Sequence, residues 1–392
     1  MDKFFADMHI HIGAGENGEP VKITASKELT FPNILREAFY NKGLDMIGII
    51  DCASPVVIRD MEKMLFEGEM KELPDGGIKY EDLVLIPGAE IESREDNGGQ
   101  CHYLAYFPQL FNVKEFSSIM KDYISNINLS SQSTGLKGRD ILQIVDGLQG
   151  ILIPAHVFTP YKSFYGRSFR AYNEAFFQRE WDKIPAVELG LSADTFMADY
   201  LGELRHKTFL SNSDAHSLPK IAREYNEIMM KKPDFNEFKM ALAGCEGRKV
   251  SGNYGLDPRL GKYHRSHCPL CEKTFSEKQP VLSCPKCGNK EPVVGVKDRI
   301  MDISQDGRSV SPPARPKYIH QIPLLDVPGI GPATLKTLLK RFETEMRIIH
   351  DVAENELEEL LGPRLADNII KARSGKARIR TGGGGYYGKV MG

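Results

Sequence analysis

Histidines and carboxylates occur in closely spaced pairs that could bind metal ions. One residue separates His9 from His11, and one residue separates Asp214 from His216. In a strand, residues two apart point to the same face about 7 Å from one another. Each pair could therefore direct two ligands toward one cation. Mixed imidazole and carboxylate sets suit Zn, Mn or Fe, and also accommodate Mg. Closely spaced ions of this kind can supply a hydroxide nucleophile at neutral pH.

Single residues of the same types stand beside other apolar runs. Asp51, Glu90 and His156 follow such runs, and His102 begins one. With the two pairs, they bring five of the ten histidines into one pattern. This concentration favours a shared metal site over separate structural roles.

Three further acids have weaker cases. Asp7 is expected to orient an imidazole rather than to bind an ion. Glu92 fits either the site or a solvated loop, and Glu188 fits either the site or the support of its strand.

Four of the seven cysteines form two Cys-x2-Cys motifs separated by twelve residues, namely Cys268, Cys271, Cys284 and Cys287. This spacing is typical of a zinc ribbon, in which four thiolates fill a tetrahedral site and leave no position for substrate. We therefore expect one structural Zn. Two independent redox pairs are the alternative. Cys52, Cys101 and Cys245 are expected to be free thiols.

Residues 325–336 resemble a helix-hairpin-helix module, with Gly329, Ile330 and Gly331 in the hairpin and Lys336 beyond it. Glycines in this place let the amide groups at a helix start face a phosphate, so such a hairpin binds the DNA backbone without reading bases. A second, degenerate copy lies at residues 359–366. The alternative is a plain Gly-Pro turn between core helices.

The N-terminal 256 residues alternate short apolar runs with amphipathic stretches, a pattern typical of β/α units. The predicted strands are residues 44–50, 83–86, 103–106, 150–153, 186–189 and 208–210, and the predicted helices are residues 33–41, 113–127, 139–148 and 193–204. Near-continuous apolar strands predict burial on both faces, as in a parallel β/α barrel or sheet. Functional sites gather at the carboxyl ends of the strands in such folds.

The composition is that of a soluble globular protein with more than one domain. The 392 residues carry Lys+Arg 51 and Asp+Glu 53, with 41% hydrophobic residues, which excludes disordered, collagen-like and coiled-coil classes. Apolar runs stop far below the roughly 20 residues needed to span a bilayer, and acids stand where a signal peptide needs a basic start. We therefore expect a cytoplasmic, nucleoid-associated protein that does not interact with membranes.

The histidine and carboxylate motifs, in their order along the chain, resemble those of the PHP (polymerase and histidinol phosphatase) superfamily of phosphoesterases. That resemblance implies a distorted β/α barrel with two or three divalent metal ions (Zn, Mn or Mg). Many members have a histidine where this chain has Cys52, so Asp51 is taken as the substitute ligand. For a further acid of the family, Glu16 and Glu19 remain alternatives.

Residues 189–194, 210–217, 255–264 and 295–300 resemble one family within this group, endonuclease Q. The resemblance implies cleavage of double- and single-stranded DNA on the 5′ side of deaminated bases (uracil, hypoxanthine and xanthine) and abasic sites. Metal-hydroxide attack would give a 3′-hydroxyl and a 5′-phosphate. The alternatives are a PHP-type phosphatase, an exonuclease without lesion specificity, and a DNA scaffold without activity.

The predicted organisation has four parts: a phosphoesterase domain at residues 1–256, a zinc ribbon at 257–310, a helix-hairpin-helix domain at 317–375 and a basic tail at 376–392. The tail is too Gly-rich to be ordered by itself. Docking on a sliding clamp is left open.

Two groups of residues are candidates for contacts with DNA. Arg259, Lys262, Tyr263 and His264 are predicted to face DNA, or alternatively to link domains. Phe158 and Tyr161 are predicted to line a pocket for an extruded base, or alternatively to pack within their loop.

Overall fold

The computed structural model describes residues 1–275, 277 and 280–391. Residues 276, 278 and 279 of the predicted zinc ribbon and residue 392 of the predicted tail lie outside the described residues. Within the described ranges, no helix has the length and apolar character needed to cross a membrane.

Most strands are short, and they are concentrated in the first 260 residues. They are β1 Asp2–Ile10, β2 Met46–Ile49, β3 Lys71–Glu72, β4 Ile78–Tyr80, β5 Leu83–Arg94, β6 Gln100–Tyr106, β7 Ile151–Pro154, β8 Ala186–Glu188, β9 Thr208–Leu210, β10 Tyr225–Met230, β11 Lys249–Gly255, β12 His267–Cys268, β13 Lys273–Thr274, β14 Lys317–His320, β15 Arg378–Arg380 and β16 Lys389–Met391.

The helices lie between the strands and form the C-terminal region. They are α1 Phe31–Arg36, α2 Pro55–Phe66, α3 Leu110–Met120, α4 Gly138–Gly147, α5 Gln178–Trp181, α6 Thr195–Ala198, α7 Phe235–Leu242, α8 Val296–Ile303, α9 Pro332–Phe342, α10 Glu345–His350, α11 Glu354–Leu361 and α12 Pro363–Arg373. The helix predicted at residues 193–204 is broken. Asp194 caps α6 by accepting the Met197 N–H at 2.8 Å, and α6 ends after one turn.

The expected distorted β/α barrel is confirmed, but its sheet is mixed rather than parallel. Strand β1 pairs parallel with β2 and antiparallel with β10, and β5 pairs antiparallel with β6. Only residues 95–99 join β5 to β6. A connection this short cannot make the crossover that parallel pairing requires. Apolar runs report burial but not strand direction, so the sequence could not predict this reversal.

Hydrogen bonds beyond the sheet close the barrel. The Val157 N–H after β7 donates to Glu188 O of β8 at 2.9 Å, β8 pairs parallel with β9, and Ala215 after β9 bridges back to Ile10 of β1.

Residues of successive strands alternate between two apolar layers, as strand geometry requires. In β2, Met46 belongs to one buried cluster, whereas Ile47 and Ile49 belong to another that includes Val57 and Met61 of α2. Both clusters are almost free of solvent contact, so the barrel provides a rigid frame for residues at its ends.

Helices α9–α12 have an apolar core of their own, and they dock on the barrel. Lys42 Nζ lies 2.7 Å from Glu345 Oε1 in a buried ion pair, and the His350 ring stacks on Phe5 with centroids 4.2 Å apart. Residues 317–320 were expected to belong to the helix-hairpin-helix domain, but they form β14, which pairs parallel with β11 and extends the barrel sheet.

The C-terminal tail forms the β15–β16 hairpin, which packs on residues 259–262. The N–H groups of Gly382, Gly385 and Gly388 donate to the carbonyls of Arg259, Lys262 and Leu260 at 2.8, 3.3 and 2.9 Å. Residues 259–262 therefore hold the tail in place. The Gly-rich tail was not expected to be ordered by itself, so this agrees with its composition. A Cβ at Gly388 would lie 2.4 Å from Arg380 O, so the packing needs glycine at that position.

Candidate active site

Seven of the eight predicted metal ligands converge at one end of the barrel. These residues lie at or just after the C-terminal ends of β1, β7 and β9, or within β5 and β6. Because β6 runs antiparallel to β5, the first residues of β6 reach the same end of the barrel as the last residues of β5. Their ligand atoms form three overlapping groups, each within 4.8 Å: His9, His11 and Glu90; His11, Asp214 and His216; Glu90, His102 and His156. We call these seven residues the metal cluster.

Glu90 and Asp214 lie between the imidazoles. Glu90 Oε1 is 3.7 Å from His9 Nε2, 3.6 Å from His156 Nε2 and 2.8 Å from His102 Nδ1. Asp214 Oδ1 is 3.5 Å from His9 Nε2. Ligand atoms about 2.0–2.2 Å from a shared ion lie roughly 3–3.5 Å from one another. These separations therefore suit ions bound between the side chains.

Two buried ring nitrogens of the metal cluster, His9 Nε2 and His102 Nδ1, make no hydrogen bond of normal geometry. Glu90 Oε1 lies 2.8 Å from His102 Nδ1, close enough for an ion pair but not aligned for a hydrogen bond. A buried polar atom without a partner costs about 1–3 kcal/mol. Coordination to a divalent ion would satisfy both nitrogens, so the donor set fits the metals that the sequence predicts.

Carboxylates behind the imidazoles fix their orientation. Glu188 lies 2.9 Å from His9 Nδ1, and Glu92 lies 3.3 Å from His102 Nε2. A carboxylate that accepts one ring N–H leaves the lone pair of the other nitrogen directed at the metal position. The two acids that the sequence left undecided therefore both belong to the site.

Asp51 orients His11 in the same way that Glu188 orients His9. This corrects the prediction that Asp51 is a metal ligand. Its oxygens lie 3.2 and 3.1 Å from His11 Nδ1, and it also accepts the Ile12 N–H at 2.6 Å. With its oxygens engaged in this way, Asp51 orients His11 and is not one of the clustered ligand atoms.

The electrostatics of the metal cluster favour cations. Burial lowers the pKa of His9, but the carboxylates of Glu188, Asp214 and Glu90 outweigh it and raise that pKa to about 10. Burial raises the pKa of Glu90, yet His102 and Lys22 hold it well below its ordinary range. Ionised carboxylates buried together require nearby positive charge. Divalent ions would supply it.

Lys22 is a site residue that sequence reasoning missed. Its Nζ lies 2.9 Å from Glu90 Oε2 and also contacts the Ser131 hydroxyl, and its side chain is only 13% exposed. Lys22 lies in an irregular loop after β1. No periodic pattern or motif there distinguishes it from a surface lysine.

Asp7 supports the loop that carries Asp214 rather than an imidazole. Its carboxylate accepts the Ser213 N–H at 3.0 Å and the Ala222 N–H at 2.9 Å. The expected hydrogen bond to a ring nitrogen is replaced by bonds to backbone amides, because the loop folds back over the end of β1.

The remaining predicted alternatives lie away from the metal cluster. The Cys52 thiol donates to Ile49 O at 3.2 Å, and burial raises its pKa well above the ordinary value. Glu16 pairs with Lys63 at 2.8 Å, and Glu19 pairs with Arg59, both at the surface of α2. Neither glutamate therefore reaches the metal cluster.

Two ligand positions have a strained backbone. His156 and Asp214 have φ values of 29° and 46°, in the left-handed region that non-glycine residues seldom adopt. Such conformations cost about 1–3 kcal/mol each and persist where surrounding packing imposes them. Gly190 (φ 78°) permits this packing, since a Cβ there would lie 2.9 Å from His156 Cβ.

A cavity of about 210 Å³ opens beside the metal cluster. His156 and Asp214 line it together with Lys262, Tyr263 and Tyr387. Two of the predicted DNA-facing residues, Lys262 and Tyr263, therefore stand next to the metal position. Tyr387 comes from the tail, and no sequence motif predicts its position beside the metal cluster.

The other predicted DNA-facing residues differ in exposure. Arg259 is exposed but ion-paired with Asp257 at 2.6 Å. His264 is buried, and burial together with Lys297 lowers its pKa to about 4. This corrects the prediction for His264, because a buried ring cannot form part of a DNA-facing surface.

Phe158 also departs from its prediction. It is 1% exposed and stacks on Tyr165 in the core, with ring centroids 5.8 Å apart, so it has no free face for a base. Tyr161 is 53% exposed and contacts the edge of Tyr263, with centroids 5.6 Å apart. Tyr161 therefore contacts a residue that lines the cavity, but it does not line the cavity itself.

The four motif cysteines come together as a group. Cys268 Sγ is 3.7 Å from Cys287 Sγ, and Cys271 Sγ is 3.4 and 3.7 Å from those of Cys284 and Cys287. Four thiolates about 2.3 Å from one zinc lie roughly 3.8 Å apart. The arrangement fits a closed tetrahedral site.

The two predicted hairpins lie at the starts of α9 and α12. Gly329 (φ 91°) precedes α9, Gly331 is its N-cap, and Gly362 (φ 78°) separates α11 from α12. Lys336 is exposed on α9. The Ile330 side chain is buried in the helical core. Only its backbone could therefore make the predicted contact with DNA.

Comparisons with known proteins agree with this geometry. Residues 322–373 match the family of SAM-like helix-hairpin-helix tandems. The uncharacterized protein YqxK of Bacillus subtilis is 45% identical over 391 residues, covering 100% of both chains.

Two solved structures are similar over the whole chain. The lesion-specific endonuclease PfuEndoQ of Pyrococcus furiosus is 32% identical with a TM-score of 0.83, covering 100% of this chain and 95% of its own. An endonuclease Q in complex with a 27-mer duplex carrying an abasic lesion at the active site is also 32% identical, with a TM-score of 0.82 and coverage of 100% and 96%.

Proposed function

The chain belongs to the endonuclease Q family of DNA repair nucleases, and on that premise we propose that it nicks DNA on the 5′ side of deaminated bases (uracil, hypoxanthine and xanthine) and abasic sites. Its substrates would be double- and single-stranded DNA. The observation that carries the proposal is the metal cluster at the mouth of the barrel, in a chain that aligns along its full length with a lesion-specific endonuclease.

We propose that two or three divalent ions (Zn, Mn or Mg) bind the metal cluster. Such ions would activate a water molecule and neutralise charge on the phosphate. Hydrolysis adds the water hydroxyl to phosphorus and breaks the P–O3′ bond, which leaves a 3′-hydroxyl and a 5′-phosphate.

The protein's own side chains prepare this site in two ways. Glu188, Asp51 and Glu92 each accept a ring N–H and so direct the opposite imidazole nitrogen toward the metal cluster. Lys22 and Lys162 line an opening of about 380 Å³ onto the cluster. Their ammonium groups would attract the phosphodiester backbone.

The C-terminal parts would hold the DNA. Gly329 before α9 and Lys336 in its second turn are exposed. This arrangement suits contacts to phosphates, which carry no sequence information. The four cysteines would bind one structural Zn and so stabilise the segment that joins the barrel and the helices. We keep the predicted four-part division of the chain as part of the proposal, with β14 assigned to the barrel sheet.

The proposal is tested with end-labelled duplexes that carry one uracil, one hypoxanthine, one abasic site or no lesion, incubated with Mg²⁺, Mn²⁺ or Zn²⁺. We expect a single nick immediately 5′ of each lesion and none in the undamaged duplex. DNA ligase should reseal the nicked product, since it joins a 3′-hydroxyl to a 5′-phosphate.

The alternatives give different products. A ladder from the strand end would indicate an exonuclease, and equal degradation of all four duplexes would remove lesion specificity. Cleavage of a small phosphomonoester with no DNA cleavage would indicate a PHP-type phosphatase. The chain with Asp214→Asn serves as the control for a contaminating nuclease.

A further inference from the structure

The C-terminal tail carries an aromatic side chain to the cavity beside the metal cluster. Tyr387 lines this cavity together with Tyr263, His156 and Asp214, although only five residues follow it in the sequence. It is 45% exposed, whereas the neighbouring Tyr386 is 80% exposed and does not line the cavity. The two adjacent tyrosines therefore have different surroundings.

The Tyr387 ring is held in place before any substrate binds. Lys262 Nζ lies 4.6 Å from the ring centroid in a cation–π contact. The Gly385 and Gly388 N–H groups, on either side of Tyr387, donate to Lys262 O and Leu260 O. A side chain ordered in this way loses little conformational entropy on binding a ligand.

The cavity has the character of a site for one planar group. Its volume of about 210 Å³ is below the roughly 300–1,000 Å³ of pockets for drug-sized ligands. Tyr263 and Tyr387 supply aromatic surface, and Ser192 supplies a hydroxyl. Enzymes that extrude a base from DNA hold it by stacking on aromatic side chains and by hydrogen bonds to its edge.

We propose that Tyr387 of the tail stacks on the extruded base of the nucleotide on the 3′ side of the cleaved bond. The inference rests on the proposed function, since it requires a DNA strand whose phosphate lies at the metal cluster. Tyr387 is then a base-binding residue, and the tail is part of the substrate site.

The test compares Tyr387→Ala, Tyr387→Phe and the matched control Tyr386→Ala in the full-length protein. Single-turnover cleavage rates are measured on duplexes with one uracil or one abasic site, because an abasic site has no base to stack. Tyr387→Ala should slow uracil cleavage roughly 5- to 150-fold and leave abasic cleavage within about twofold. Tyr387→Phe and Tyr386→Ala should resemble the wild type.

A second variant displaces the tail without altering the ring. Gly388→Val would place a side chain against Arg380 O and should produce the same selective loss on uracil. Equal loss on both substrates would assign the tail a structural role and overturn the inference, as would unchanged cleavage of both. A wild-type protein that cleaves neither duplex would instead overturn the proposed function, and the inference with it.

Discussion

Glu188 stands directly behind His9, with its two oxygens 2.9 and 3.1 Å from His9 Nδ1 and both side chains almost completely buried. The same carboxylate accepts hydrogen bonds from the Asn212 side-chain amide and from the His156 backbone N–H, each at 2.8 Å. One acid at the end of β8 thereby joins the ends of β1, β7 and β9. It sets the direction in which His9 Nε2 faces the metal cluster.

Replacing this acid should weaken metal binding while preserving the fold. Glu188→Gln keeps the volume but removes the charge that holds the His9 ring, and loss of such a partner costs about 10- to 100-fold in metal affinity. Calorimetric titration of the metal-free protein with Zn²⁺ or Mn²⁺ measures the change. Glu95→Gln is the matched control, since Glu95 is buried but bonds Ser93 and the Gly138 N–H, away from the metal cluster. Wild-type affinity in Glu188→Gln would contradict this role.

Asp214 should be indispensable for cleavage but not for DNA binding. Its Oδ1 lies 3.5 Å from His9 Nε2 and 3.4 Å from His11 Nε2, between two of the ligand groups. Loss of a residue that only orients a ligand can cost about 100-fold. Asp214→Asn should reduce the nicking rate by more than that. A gel-shift assay should show unchanged DNA affinity, because the hairpins are untouched. A fully active variant would remove Asp214 from the site.

Loss of Lys22 should lower the cleavage rate without lowering metal affinity, whereas loss of a metal ligand should lower both. Its ammonium repels cations but balances Glu90, so Lys22→Met should leave metal affinity unchanged or higher. The cleavage rate should nevertheless fall, roughly tenfold or more, if the ammonium also attracts the scissile phosphate. Measurement of cleavage rate against metal concentration separates the two effects. Lys27→Met, an exposed lysine of the same loop, is the control. A loss of metal affinity in Lys22→Met would contradict this assignment.

The residues of the metal cluster could be singled out from the sequence, whereas the roles of the residues that support them could not. His9 and His11 follow the two-residue period of a strand, and the cysteine pairs follow the geometry of a zinc ribbon, so both leave local patterns. Glu188 and Lys22 acquire their roles only by folding next to residues far away in the chain. Contacts of that kind leave no local pattern, so the sequence predicts Asp51 as a ligand, whereas in the fold it is the partner of His11.

The helix-hairpin-helix region should control affinity and not the position of the cut. A Cβ at Gly329 would lie 2.4 Å from Leu365 Cδ2, whereas at Gly331 nothing lies within 4 Å. Replacing both by valine should therefore disturb the hairpin and weaken DNA binding, with the same bond cleaved. Lys336→Ala should lower the slope of log affinity against log salt by about one. Fluorescence anisotropy at several salt concentrations and product mapping give both results. A shifted cut would show that the hairpin sets the register.

Docking of the helical region on the barrel should weaken in acid because of His350. Burial lowers the pKa of His350 to about 4, and its Nε2 lies 2.8 Å from the Tyr225 hydroxyl. Since the pKa in the folded protein is below the ordinary value of 6.5, this stabilisation is complete above pH 6.5 and is lost as pH falls toward 4.

His350→Phe keeps the aromatic contact with Phe5 but cannot be protonated, and the Tyr225 hydroxyl retains its bond to Gln321 Oε1 at 2.8 Å. Between neutral pH and about pH 4.5, the Tm of the wild type should therefore fall by a few °C more than that of the variant. Thermal unfolding monitored by circular dichroism measures both, with His206→Phe at an exposed position as the control. Parallel losses of Tm in the wild type and His350→Phe would show that protonation of His350 does not control the docking.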